Sequence, residues 1–118
     1  MIYDLENRTK KFSKKMFDIV LRVNRNDINR NVILQLIRSA TSVGANYCEA
    51  NNASSKKDFL NKIFICRKEI QESKYWIEML VKVNPDIKDN LRLLWKEAHE
   101  LSLIFNKISV SVKNSKNN

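Results

Sequence analysis

The sequence predicts an all-α protein, an antiparallel up-down-up-down four-helix bundle. Three observations predict it. Apolar residues recur at a period of about 3.6 along nearly the whole chain. Polar breaks at Asn24–Asp27, Asn51–Ser54 and Asn84–Asp86 divide that pattern into four long segments. The 118 residues include one Gly and one Pro, too few for strands joined by tight turns. Long helices with short connections are most simply antiparallel neighbours.

The first helix is predicted over about residues 5–24, with a core stripe of Leu5, Phe12, Met16, Ile19 and Val23. The turn formers Asn24–Asp27 end it. The second runs over about 30–52, with Asn29 as N-cap and Ile33, Leu36, Ala40, Val43, Tyr47 and Ala50 as its stripe. The third runs over about 56–83. Ser55 caps it, and Asp58 occupies the capping-box position. Its stripe is Phe59, Ile63, Cys66, Ile70, Ser73, Ile77 and Val81. Pro85 disfavours helix in the residue before it and stops the third helix. The fourth runs over about 87–112, with Leu91, Leu94, Ala98, Leu101, Phe105, Ile108 and Val112 inward. Ile108–Val112 alternates like a strand but has no strand to pair with, so it reads as helix. Residues 113–118 form a polar, frayed tail of the single domain spanning 1–118.

Composition excludes several functions. One Gly rules out a phosphate-binding Gly-rich loop and a dinucleotide fingerprint. One His and two Cys rule out zinc fingers, disulfide scaffolds and the paired Glu-x-x-His sites of di-iron bundles. No metal or other cofactor is expected. No signal peptide and no membrane-spanning run is visible, so the expected location is the cytoplasm, away from membranes.

Two features are left once the core is assigned. Phe17, Leu21, Phe64, Ile65, Tyr75, Trp76, Leu93, Leu103 and Ile104 fall off the core stripes. That much apolar surface on a small bundle favours self-association over scattered exposure. Arg38, Ser42, Ala45 and Glu49 line the second helix opposite its core stripe, with Asn46 beside them. A solvated face and a close contact between subunits fit that stripe equally well.

Charge is the other signal. Lys and Arg number 22 against 13 Asp and Glu, a net charge of +9. Lys10, Lys11, Lys14, Lys15, Arg22 and Arg25 lie opposite the first helix's core, interrupted by Asp18. Lys56 and Lys57 open the third helix, and Lys113 and Lys116 lie at the chain's end. A basic face flanked by Phe17 suits nucleic acid, where cations meet phosphates and bases stack on rings. A lysine-rich surface that only confers solubility is the plainer alternative.

The segment 37–80 carries the most distinctive residues. Arg38, Ser39, Thr41, Ser42, Gly44, Ala45, Asn46, Tyr47, Glu49 and Ala50 form one motif. Ser55, Asp58, Phe59 and Lys62 form a second, and Lys68, Glu69, Glu72, Tyr75 and Trp76 a third. Together they resemble the bacterial four-helix-bundle family of the 23S rRNA intervening-sequence proteins. Ala40 stands where that family has Gly, and Cys66 where a small residue is usual.

The resemblance implies a homopentameric barrel with a central channel and no known catalytic activity. Relatives serve as accessory proteins of diversity-generating retroelements, which implies nucleic acid and a reverse transcriptase as partners. On that basis Arg38, Ser42, Asn46, Glu49, Asp58, Lys62, Glu69, Glu72, Tyr75 and Trp76 are expected at a subunit interface, with buried charges paired across it. The leading expectation is a non-enzymatic homo-oligomer that binds RNA or DNA through phosphates. A protein-interaction scaffold is the alternative. A weaker one comes from Arg92 and His99, whose spacing resembles the Arg-x(4–6)-His motif of HEPN ribonucleases. Leu93 stands where those enzymes usually have a polar residue.

Overall fold

Ser55 opens a 28-residue helix, α3 (Lys56–Val83), and its hydroxyl accepts the Asp58 N–H at 3.0 Å. The Asp58 carboxylate reaches back to the Ser54 N–H at 3.3 Å, one residue beyond the position a capping box uses. The computed structural model describes residues 4–115. Its other helices are α1 (Leu5–Val20), α2 (Asn29–Asn51) and α4 (Lys88–Lys113), the last entered through a 3₁₀ turn at Pro85–Ile87. Among the described residues there is no strand, and Ile108–Val112 is helical. Lys113 is the last residue of α4, not the start of a frayed tail.

The first two helices depart from the predicted ends for one reason. The α1 helix stops at Val20, and its last bonds, Arg22 N–H to Ile19 and Val23 N–H to Val20, are of the tighter three-residue kind. Beyond them, Asn29 draws the chain away. Its side chain donates to the Asn24 carbonyl and to Asn84 Oδ1, and accepts the Asn26 N–H. Asn29 is therefore a buried residue inside α2 and not its N-cap. Asn26 takes that part, its Oδ1 accepting the N–H of Ile28 and Asn29 at 2.8 Å each. On α1, Thr9 and Val20 are buried, whereas Ile19 and, beyond the helix, Val23 only pack against the core's edge.

All four helices contribute to one core, which holds Phe12, Met16, Ile33, Leu36, Ile63, Ile70, Leu101 and Phe105 at 1 % exposure or less. Ile104 belongs to this core at 9 % exposure, so it is not surface as its off-stripe position suggests. The molecule is a rod of 51 × 21 × 20 Å. Cross-helix contacts run in opposite order. Ser39 meets Ser73, Val43 meets Cys66, and Glu49 meets Lys62. Likewise Lys74 meets His99 and Arg67 meets Ser109.

Candidate nucleic-acid interface

The basic face of α1 follows from its period. Burying Leu5, Thr9, Phe12 and Met16 turns Lys10, Lys11, Lys14 and Lys15 outward, and all four are exposed. Among the described residues none of the four is in an ion pair, whereas Arg8, Arg30, Arg38 and Lys62 each hold a carboxylate. Arg8 docks this helix on α4. Its Nε and Nη2 donate to Glu97 at 3.0 and 2.8 Å, and Nη2 also reaches Glu100 at 3.3 Å. The bond to Glu97 raises the Arg8 pKa above its ordinary value.

The remaining basic residues are scattered. Arg22 and Arg25 are exposed in the connection after α1, not on the helix. That connection sits at the end of the rod where Asn29 meets Asn84. Lys56 and Lys113 lie at the opposite end, where Lys56 Nζ donates to the Ser115 carbonyl at 3.0 Å. Lys57 is exposed beside Lys56. Lys116 lies outside the described residues. The nine described candidate cations thus form one helix face and two separate ends, not one continuous patch.

The residues expected at a subunit interface lie along the α2–α3 seam and find partners inside the chain. Arg38 bonds Glu69 at 3.4 Å and also Glu72, and Trp76 Nε1 donates to Glu72 at 3.3 Å. Lys62 bonds Glu49 at 2.7 Å, which raises the lysine's pKa. Asn46 Nδ2 donates to the carbonyl and hydroxyl of Ser42, and Asp58 serves the α3 cap. Tyr75 is exposed, edge-on to the half-buried Trp76 at 4.9 Å. Arg38, Ala45 and Glu49 of the stripe are exposed, yet its two charges both find partners on α3. Its charges need no second subunit for compensation, because α3 supplies the counter-charges.

Arg92 lines a groove with Ile77, Glu78 and Trp95, while His99 lines another with Arg67 and Lys74. Among the described residues no three His, Cys, Asp or Glu side chains are grouped to hold a metal ion. Among them also, no helix is long and apolar enough to cross a membrane. Periodicity did not reveal the Arg8 clamp. The signal was two acids, Glu97 and Glu100, one turn apart on a helix of a strongly basic chain.

Residues 3–107 match the family of 23S rRNA-intervening sequence proteins. The chain belongs to that family. It is similar to a protein of unknown function from the S23 ribosomal protein family of Bacteroides thetaiotaomicron VPI-5482, known from a crystal structure. Identity is 26%, coverage 88% of this chain and 96% of that one, and the TM-score 0.77. No curated protein matches the chain. Within this intervening-sequence family member, Gly44 and the Arg38, Glu69 and Glu72 cluster place the resembling motifs on the two facing helices α2 and α3.

Proposed function

We propose that this intervening-sequence family protein is a non-enzymatic, cytoplasmic, nucleic-acid-binding homo-oligomer. Its helices run up-down-up-down and antiparallel, a reading supported by the opposite order of residues across the α2–α3 and α3–α4 contacts. The observation that carries the binding function is the α1 face. Lys10, Lys11, Lys14 and Lys15 project from one rigid helix and, among the described residues, hold no carboxylate. Such a row meets phosphates with little base specificity. Assembly as a pentameric ring would repeat it around the particle and let a strand touch several copies.

The test is binding of purified protein to a structured RNA and a DNA duplex across a salt series. Affinity falling steeply with salt supports the reading, and the log–log slope counts the phosphates contacted. Replacing the four lysines by Gln should flatten that slope. No binding at low salt would overturn it. One observation favours a second reading, a protein-interaction scaffold that engages a reverse transcriptase or another protein. Leu21, Leu93, Phe64, Leu103 and Tyr75 are each more than half exposed. Association through those side chains would be insensitive to salt.

A further inference from the structure

A groove of about 520 Å³ runs between α3 and α4. Phe64, Arg67, Lys68, Lys74, His99 and Asn106 are among its lining, and no carboxylate is. Among the described residues Arg67, Lys68 and Lys74 form no ion pair, so three like charges share one concave surface. Such a set, with no carboxylate beside it, attracts an anion from outside.

The groups are held in place. Arg67 Nη1 donates to Ser109 Oγ at 3.3 Å, and its guanidinium lies 6.0 Å from the centre of the Phe64 ring. Its other N–H groups are left for a ligand. Lys74 Nζ lies 3.0 Å from His99 Nδ1. An ammonium only donates, so Nδ1 accepts and the imidazole hydrogen sits on Nε2, a further donor. Trp95 stacks on His99 with ring centres 5.2 Å apart, and Lys74 lies 4.8 Å from the indole centre. Phe64, 58 % exposed, presents a flat apolar ring beside this cationic set.

We infer that the groove binds a nucleotide unit, its phosphate on Arg67 and its base against Phe64, with Lys74 and His99 adding donors farther along the groove. Guanidinium and ammonium donors favour a phosphate dianion or diester, and a ring next to them favours a planar base over a bare anion. A free nucleotide and one unit of a strand offer the same chemistry. The inference therefore stands apart from strand binding by the α1 lysines.

Trp95 lies outside the groove but stacks on His99 and meets Lys74 of its lining, and so reports on that end of it. In a Trp76→Phe background it is the remaining Trp, and calorimetry on the unaltered chain gives an independent readout. The probes are adenosine monophosphate, ribose 5-phosphate, inorganic phosphate and a short single-stranded oligonucleotide. Adenosine monophosphate should give a saturable emission change, with affinity about tenfold weaker in Arg67→Gln/Lys74→Gln. Phe64→Leu should weaken adenosine monophosphate but not ribose 5-phosphate. Saturation by the oligonucleotide alone, lost in the double variant, would support a strand as the source. Saturation by the mononucleotide would support a free ligand. Retention of either in the Lys-to-Gln variant of α1 would separate this site from that face. The inference fails if no probe gives a saturable change, or if the double variant leaves the change intact.

Discussion

Ser39 and Ser73 share a 2.9 Å hydrogen bond across the α2–α3 seam, and neither has any solvent exposure. Both are small, so the helices approach closely there. Ser39 also reaches the Leu36 carbonyl and Ser73 the Glu69 carbonyl, so two hydroxyl protons serve three acceptors. Removing one hydroxyl leaves the other with a worse set of partners. Ser39→Ala and Ser73→Ala should each cost about 1–2 kcal/mol, and the double variant clearly less than their sum. Urea unfolding of the four proteins measures that coupling, and strict additivity would refute it.

Arg38 compensates Glu69, whose side chain is only 9 % exposed, but is itself half-exposed. Arg38→Ala should therefore cost about 1–2 kcal/mol, below the figure for a fully buried pair. Helix content by circular dichroism should stay intact. On the pentamer reading, light scattering well below the melting temperature should also show the ring dissociating. A variant that stays fully assembled removes Arg38 from the subunit contact.

The two thiols should behave differently. Cys48 is exposed, while Cys66 is fully buried with its Sγ 3.5 Å from the Val43 carbonyl. Burial pushes the Cys66 thiol up to about 12. A thiol reagent should label Cys48 in the native protein and Cys66 only after unfolding. The raised pKa also gives a signed pH dependence. Below pH 9 the thiol is neutral folded and unfolded, and its burial contributes fully. As pH rises from there toward 12 only the unfolded chain ionises, and stability falls by up to about 1.4 kcal/mol per pH unit. The stability gap between the natural chain and Cys66→Ala should thus narrow between about pH 9 and pH 12.

Gly44 faces Thr9 on α1. A Cβ there would lie 3.6 Å from the Thr9 carbonyl oxygen, an ordinary contact. Mid-helix glycine is costly, so Gly44→Ala should be neutral or stabilise by about 0.5–1 kcal/mol. Gly44→Leu, which forces α1 away, should destabilise. A thermal melt of both variants decides.

How much of this was legible depended on range along the chain. The α3 ends were readable because Ser55, Asp58 and Pro85 act within a few residues of the boundary. The end of α1 was not, because Asn29 and Asn84 fix it from another helix and another turn. Ile104 was misplaced because a stripe drawn for one neighbour ignores a second, and α4 packs on both α1 and α3. The seam charges were singled out for a contact between subunits, and within the chain they pair across α2 and α3. A helical period gives a face but no partner, so Arg38 found Glu69 in its own chain. The groove was invisible for the same reason, since Lys74 and His99 stand on different helices.

The Arg8 clamp has a consequence for how the α1 face would work. This helix is the shortest of the four, and its hold on α4 passes through the carboxylates of Glu97 and Glu100. The buried Phe12 and Met16 seat α1, and a polyanion laid along Lys10–Lys15 would act on the same electrostatic field that adds its polar hold on α4. Ionic strength therefore acts twice, once on the ligand and once on the mount that presents it. Amide exchange in α1 should quicken with added salt while α3 stays protected, and a bound strand should slow it again. The grip of the first helix and part of its anchorage would then be tuned by one variable.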